Sequence, residues 1–275
     1  MKLKTIVQVV LMSLMTLVGA GETSSLAAQS GSLDTCGAPR GREAARAKAR
    51  LLVAQIRTDL AAVEDQIRDV EFVSQVEAGT ASVEVIAAVV AEEYSIIRSD
   101  LKSFKRMAAR WDYPGSSFFG DLAFGESLAL PLVLDFAETV GLSEADLIAY
   151  EPRPRSQTYP SRVAWIASHA DRASAAASFL VNFGVFGENM ARVRDALVEV
   201  YGFELSEVGF FSFFAEPIPG FEEDAIEVIA DGLRQGVCPR DVRRSARLLQ
   251  AYELDFWQAA SDPPGSPLPV SWTPN

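Results

Sequence analysis

Histidine is almost absent from this chain, and its scarcity limits the chemistry that the chain can support. The 275 residues include one histidine, His169, and two cysteines, Cys36 and Cys238. Zinc sites and multi-histidine iron sites take several ligands from these residue types, so one chain cannot supply them. The two cysteines also lie too far apart in sequence for a Cys-x-x-Cys motif. We therefore expect no metal site and no cofactor.

Positive charge is also scarce. The chain has 25 basic and 37 acidic residues, which gives a formal net charge of −12. An acidic surface repels phosphate backbones and anionic lipid heads, so nucleic acids and membrane surfaces are poor partners. A neutral or cationic small molecule remains compatible, and this is the partner that we expect. We interpret the basic run Arg240, Arg243, Arg244 and Arg247 as a solvated helix face.

The apolar run near the N-terminus is too short to span a membrane, which takes about 20 residues. It covers residues 6–20, follows two lysines and precedes a stretch of small residues. This arrangement is typical of a secretory signal peptide, so residues 1–28 are predicted to direct export to the periplasm or the exterior. The alternative is a start codon placed upstream of a cytoplasmic protein. After export, Cys36 and Cys238 could pair, although the sequence does not show that they meet.

Strand signals are missing, and helical periodicity takes their place. Apolar residues recur at intervals of three and four over residues 42–76 and 83–111, as in amphipathic helices. Further helices are predicted over 117–140, 160–201, 206–232 and 239–260. Gly141 is placed to cap the third helix, and Ser143 with Asp146 predicts a short turn after it.

Two pairs of residues mark irregularities in the longer helices. We expect Pro217 and Pro219 to interrupt the fifth helix, and Gly184 and Gly187 to bend the fourth.

Long helices with short connections form bundles, so we predict an all-α single domain. Its boundaries are 1–28 for the signal segment, 29–45 for a linker, 46–262 for the helical domain and 263–275 for an irregular Pro-rich tail.

Four short phrases, taken in order, resemble the TenA/thiaminase II family, which has the heme-oxygenase-like helical fold. The phrases are Glu71-Phe72-Val73 followed by Gly79-Thr80, then Ala91-Glu92-Glu93-Tyr94, Gly125-Glu126, and Tyr252-Glu253-Leu254-Asp255-Phe256-Trp257. Their order and spacing over residues 48–262 carry the resemblance. The resemblance implies an aminopyrimidine pocket in the middle of the bundle and a place in thiamin salvage. It also implies a homo-oligomer, because family members often form tetramers.

The resemblance also implies roles for individual residues. Glu93 stands where the family has an aspartate that contacts the ring, and Glu253 matches a closing glutamate that moves protons. The nucleophilic cysteine of the family falls near Asn182, where this chain has no cysteine. An amide cannot replace a thiolate as nucleophile. Two functions stay open: an aminopyrimidine or thiamin hydrolase with Glu253 as acid/base, and a non-catalytic small-molecule binding protein.

The candidate residues are compatible with a ligand pocket, but each can also be interpreted as an ordinary core or surface residue. Glu253 and Trp257 share a helical face, where burial among aromatic rings raises a carboxyl pKa; the alternative is a solvated glutamate beside a core tryptophan. Glu93 lies in an apolar run and needs a partner or a ligand if buried, unless Glu92 is the inward residue. The other ligand-binding candidates are Tyr94, Glu126, Asn182, Phe183, Phe186 and Trp257, most of which could equally be core.

Overall fold

The computed structural model describes residues 36–272, and every regular element within them is an α-helix. The predicted signal segment, 1–28, and residues 29–35 of the predicted linker lie outside the described residues. The helices are α1 (Arg42–Arg68), α2 (Glu71–Glu77), α3 (Val83–Arg110), α4 (Gly115–Thr139), α5 (Glu144–Ala149), α6 (Thr158–His169), α7 (Arg172–Glu199), α8 (Gly209–Ala215), α9 (Phe221–Arg234) and α10 (Pro239–Ala259). The all-α prediction is confirmed.

The first predicted helix is in fact two helices, α1 and α2. Val70 is extended between them, with φ −67° and ψ 142°. Two side chains of α7 bind the carbonyls that the end of α1 leaves unpaired: Asn189 donates to the Ile67 oxygen at 2.8 Å, and Arg192 donates to the Arg68 oxygen at 2.5 Å. These tertiary hydrogen bonds satisfy the helix end at this point.

The fourth predicted helix is also divided, because α6 ends at His169 and α7 begins two residues after Ala170. Asp171 caps α7, and its carboxylate accepts a hydrogen bond from the Ser174 backbone N–H at 2.8 Å. A capping aspartate satisfies one of the free N–H groups of the new helix. The bend expected at Gly184 and Gly187 does not interrupt α7, which stays helical through both.

The turn signals between helices are confirmed. Ser143 and Asp146 form a reciprocal capping box at the start of α5. Gly141 follows α4 with a φ of +84°, in the left-handed region that favours glycine. The interruption expected at Pro217 and Pro219 separates α8 from α9.

The core lies between α3, α4, α7 and α10. α3 packs most extensively on α4, and α7 packs on both α9 and α10. Phenylalanine rings join these helices: Phe104 of α3 meets Phe179 of α7 edge-on at 4.9 Å, and Phe179 meets Phe119 of α4 at 6.3 Å. Aromatic rings bury large apolar areas in such arrangements. This packing places one face of α3 toward the middle of the bundle.

A disulfide joins Cys36 to Cys238 across 202 residues of sequence. Cys238 is the residue that precedes α10, so the bond ties the start of the described chain to the start of the last helix. Closing so long a loop restricts the unfolded chain and stabilises the folded one.

The apolar helix α4 has the length and composition of a membrane span. Core helices pass the same test, and α4 carries the buried Glu126 and packs along α3.

Candidate functional site

A narrow cavity opens between α3, α4, α6, α7, α8 and α10. Twelve residues line it: Glu93, Ile96, Ile97, Asp100, Glu126, Tyr159, Asn182, Phe183, Phe186, Phe214, Glu253 and Phe256. The centre of a water-sized molecule can move through about 30 Å³ of this cavity. The total empty space, counted together with the opening to solvent, is about 410 Å³. Apolar walls with a few convergent polar groups are typical of small-molecule sites.

Glu253 is the polar group whose position is best defined. Its carboxylate is 2% exposed and accepts hydrogen bonds at both oxygens, from Trp257 Nε1 at 2.7 Å and from Asn182 Nδ2 at 2.9 Å. Burial raises the pKa of Glu253 to about 7, although the two hydrogen bonds lower it. A carboxyl with this pKa exists in both protonation states near neutral pH, so it can take and give a proton.

A hydrogen-bond network orients Asn182 behind Glu253. The Tyr159 hydroxyl donates to Asn182 Oδ1 at 3.1 Å, and Asn182 Nδ2 also donates to Gln250 Oε1 at 3.1 Å. The amide therefore presents its oxygen to Tyr159 and its nitrogen to Gln250 and Glu253. Because each group is held by a buried partner, the Glu253 carboxylate has little freedom to rotate.

Three further carboxyls face the cavity from α3 and α4. Glu93, Asp100 and Glu126 are 4%, 3% and 8% exposed. Burial raises the pKa of Glu126 to about 8, and burial followed by the Glu253 charge raises that of Glu93 well above its ordinary value. The pKa of Asp100 is also raised well above its ordinary value, first by burial and then by the Glu126 charge. Neighbouring carboxyls in a dry site cannot all ionise together, so burial and mutual repulsion favour their protonated forms.

The neighbouring Glu92 is equally buried but points to a different environment. It forms an ion pair with Arg153 at 3.1 Å and accepts hydrogen bonds from Tyr150, Ser156, Gln157 and the Arg153 backbone N–H. Both glutamates are therefore buried, so the two interpretations left open by the sequence, Glu93 inward or Glu92 inward, do not exclude each other. Glu92 fastens the loop between α5 and α6 to α3.

Most of the predicted site residues meet in the cavity: Glu93, Glu126, Asn182, Phe183, Phe186 and Glu253 line it. Trp257 is not a lining residue but holds Glu253 from behind. Tyr94 is turned elsewhere, since its hydroxyl donates to Glu144 at 2.7 Å and accepts from Arg98.

Sequence reasoning missed two polar lining residues, Asp100 and Tyr159. Asp100 had a usable signal, because it follows Glu93 by two helical turns and therefore shares its face. Tyr159 had no such signal in the sequence, because its position in the cavity depends on how α6 packs against the other helices.

A wider surface groove lies between α1 and α10, where the centre of a water-sized molecule can move through about 340 Å³, compared with about 30 Å³ in the narrow cavity. Its walls are Ile56, Asp59, Leu60, Arg240, Arg243, Arg244 and Arg247. Arg240 and Arg244 pair with Asp241, which agrees with a solvated helix face. The charged residues of this groove are not buried, so water competes with any ligand for them. The narrower cavity is the better candidate site.

Metal ligands are not grouped in the described part of the chain. Within residues 36–272, no group of three or more histidine, cysteine, aspartate or glutamate side chains is placed to hold a metal ion.

Solved structures with the same architecture come from several organisms. A TenA homologue from Pyrococcus furiosus is 17% identical, covers 76% of this chain and 99% of its own, and superposes with a TM-score of 0.62. A domain of unknown function with a heme oxygenase-like fold, from Shewanella denitrificans, is 19% identical, covers 76% and 90%, and gives 0.60. These likenesses establish the heme-oxygenase-like fold.

A putative TenA-like thiaminase from Sulfolobus solfataricus shares the fold at 13% identity and a TM-score of 0.51, over 76% of this chain and 94% of its own. No significant match was found among curated proteins. The TENA/THI-4/PQQC family model, however, matches residues 59–262, which contain every residue that lines the cavity. The chain belongs to the TENA/THI-4/PQQC family.

Proposed function

We propose that the cavity binds a small flat heterocycle and that the protein hydrolyses an aminopyrimidine or a thiamin fragment, with Glu253 as acid/base. The observation that carries this proposal is a fully buried carboxyl with a pKa of about 7 on the wall of an apolar cavity. Family membership supports it, as does the similar structure described as a putative TenA-like thiaminase.

The chemistry follows from which groups are present. The family resemblance implies a nucleophilic cysteine near Asn182, where this chain has no cysteine, and both cysteines of the chain are joined in the disulfide. Water is then the nucleophile, and ionised Glu253 accepts its proton as the oxygen bonds to the ring carbon that carries the amino group. Protonated Glu253 next gives that proton to the departing amine, which leaves as ammonia. This exchange regenerates the carboxylate.

The remaining groups position the ring. Glu93 is placed to accept a hydrogen bond from a ring amino group, and Phe183, Phe186 and Phe214 offer faces for stacking. The empty space is narrow, so a ring enters only when these phenylalanine side chains change rotamer. Such a closed site excludes bulk water around the reacting atoms.

Hydrolysis assays of wild type and Glu253→Gln test this function. Ammonia release from 4-amino-2-methylpyrimidine and cleavage of thiamin are measured at pH 7. Loss of the proton-transfer group is expected to lower kcat by a factor on the order of 10² to 10⁴. Glu84→Gln, at an exposed position of α3, is the matched control and should leave the rate unchanged. Equal rates for wild type and Glu253→Gln would contradict the proposal.

A second function, binding without catalysis, is favoured by one observation: the chain has no cysteine near Asn182, where the family resemblance implies the nucleophile. In that case an aminopyrimidine raises the melting temperature of the protein but is recovered intact. Turnover that Glu253→Gln abolishes would exclude this alternative, and wild-type binding without turnover would select it.

We also propose that the chain is exported. The disulfide between Cys36 and Cys238 supports this, because such bonds persist mainly in oxidising compartments. N-terminal sequencing of the mature protein is expected to begin close to residue 29. A mature chain that retains Met1 and reacts with thiol reagents at both cysteines would contradict export.

A further inference from the structure

We propose that Asp100 and Glu126 form a second subsite in the cavity, the distal carboxyl pair, which binds an ammonium or amidinium group. The preferred ligand is then a flat organic cation with nitrogen groups at both ends, one near Glu253 and one near the distal carboxyl pair. This inference deepens the proposed function, since it rests on the same cavity being a ligand site.

The first observation is an unpaired buried oxygen. Asp100 lines the cavity and is 3% exposed, yet its Oδ1 has no hydrogen-bond partner among the described residues. By contrast, both oxygens of Glu253 have donors. A buried carboxyl oxygen without a donor is unfavourable, so proteins rarely leave one unless another molecule supplies the hydrogen bond. A ligand N–H at this end of the cavity would satisfy it.

The second observation is the charge of the lining. The twelve residues around the cavity include four carboxyls and no lysine, arginine or histidine. Any two ionised carboxyls therefore face each other without a protein cation between them. A cationic ligand is the group that offsets this repulsion, and a neutral ring is not.

The third observation is the separation of two lining carboxyls along α3. Glu93 and Asp100 are seven residues apart on one face, which corresponds to about 10 Å along a helix axis. Both line the cavity. Glu93 therefore lies toward one pole of the cavity, and Asp100 of the distal carboxyl pair lies toward the other.

This separation favours an organic cation over a metal ion. Ca²⁺ and Mg²⁺ require several oxygens at about 2.0–2.6 Å from one point. In the part of the chain that the structure describes, no three acidic side chains converge in that way. An extended cation can instead bring one N–H group to each pole.

Two probes that differ by a single ammonium group test the inference. p-Xylylenediamine carries an ammonium at each end of a flat ring, and 4-methylbenzylamine replaces one of them by a methyl group. Isothermal titration calorimetry at pH 7 is expected to show tighter binding of the diamine by roughly 10- to 100-fold, the range of a charge-assisted hydrogen bond. Equal affinities, or no binding of either probe, would overturn the inference.

Variants of the distal carboxyl pair test whether these residues cause the preference for the diamine. Asp100→Asn and Glu126→Gln are each expected to reduce the preference for the diamine to within about threefold, while 4-methylbenzylamine binds as before. The controls are Asp121→Asn and Glu138→Gln, at exposed positions of α4, which should keep the preference. A preference that survives in both Asp100→Asn and Glu126→Gln would place the second ammonium elsewhere and contradict the subsite.

The pH dependence of binding gives an independent readout. The titratable groups that face the distal carboxyl pair are Glu93 on α3, Tyr159 on α6 and Glu253 on α10. Because Glu126, with a pKa of about 8, is largely protonated in the free protein at pH 7, the diamine should release protons as it binds, and the measured heat should depend on the ionisation enthalpy of the buffer. Heats that are identical in all buffers, or displacement of the diamine by 1 mM MgCl₂, would contradict an organic-cation subsite.

The outcomes separate this inference from the proposed function. Hydrolysis that depends on Glu253 without any preference for the diamine would reject the distal subsite and leave the proposed function standing. A diamine preference that depends on Asp100, in a protein that hydrolyses nothing, would support the subsite and reject the catalytic proposal.

Discussion

Two adjacent glutamates on α3 have nearly the same burial and very different surroundings. Glu92 faces the loop between α5 and α6, where Tyr150, Arg153, Ser156 and Gln157 provide its hydrogen bonds. Glu93 faces the cavity, where its charged neighbours are other carboxylates. A helix turns by about 100° per residue, so neighbouring side chains reach separate environments.

The difference shows how a structural acid can be told from a functional one. Arg153 also donates to the backbone oxygens of Ala259, Ala260 and Asp262, so the Glu92 network ties α3 to the end of α10. Its groups satisfy each other and leave nothing for a ligand. On the Glu93 side the buried Asp100 Oδ1 has no hydrogen-bond partner among the described residues, and this leaves it available for a ligand.

The largest effect is expected from Glu92→Ala, which leaves the Arg153 guanidinium buried without its carboxylate. Removing one partner of a buried pair costs about 3–5 kcal/mol. Urea unfolding followed by circular dichroism should show this loss in the free energy of unfolding. Glu84→Ala on the same helix, at an exposed position, is the control. A loss below about 1 kcal/mol would mean that the Glu92 network is not structural.

The next largest effect is expected in the pH dependence of the free energy of unfolding, which the buried carboxyls of the cavity cause. In the unfolded chain Glu253 and Glu126 ionise near pH 4.5, whereas in the folded protein they keep their protons up to about pH 7 and 8. Between these values the unfolded state binds fewer protons, so the free energy of unfolding falls as pH rises. The slope is about 1.4 kcal/mol per pH unit for each group. Below pH 4.5 both states are protonated, and this effect vanishes.

Thermal unfolding between pH 4.5 and pH 8 measures that slope. Glu126→Gln should flatten it, because the amide does not titrate, whereas Glu138→Gln should not. If Glu126→Gln leaves the slope as steep as in wild type, Glu126 does not hold its proton in the folded protein.

A smaller effect separates binding from stability at Glu93. Glu93→Gln is expected to weaken binding of 4-amino-2-methylpyrimidine by about tenfold, through loss of a charge-assisted hydrogen bond. The free energy of unfolding at pH 7 should stay equal or rise, since an amide is neutral at every pH and adds no charge to the cavity. A destabilised Glu93→Gln with unchanged affinity would reverse the roles assigned to the two glutamates.

The smallest effect is expected from Tyr159→Phe, which removes the hydrogen bond to Asn182 Oδ1. The expected loss is about 0.5–1.5 kcal/mol in the free energy of unfolding. Because Asn182 also holds Glu253, the pH profile of any hydrolysis should shift as well. An unchanged profile would show that Tyr159 has no part in orienting the acid.

More of the fold than of the candidate site could be predicted from the sequence. The apolar stripe over residues 83–111 predicts α3, which the structure gives as Val83–Arg110. The break at Asp171 was missed because the alanine- and serine-rich stretch after it favours helix on both sides. The Asn189 and Arg192 hydrogen bonds that end α1 could not be read, because they come from a helix more than a hundred residues away.

In the site, motif positions located Glu93, Asn182 and Glu253, but not what each contacts. Tyr94 was predicted to bind ligand because it adjoins Glu93, although the helical turn carries it toward Glu144. The disulfide and the place of Tyr159 depend on tertiary packing, which periodicity does not encode.

The most direct test of the contrast between the two sides of α3 is a ¹³C NMR titration of glutamate side-chain carboxyls, with resonances assigned from single Glu→Gln variants. The result that we predict is titration of Glu253 near pH 7. On addition of 4-amino-2-methylpyrimidine, the Glu93 and Glu253 signals should shift while the Glu92 signal stays in place. Titration of Glu253 near pH 4.5, or a ligand-induced shift at Glu92 and not at Glu253, would contradict the account.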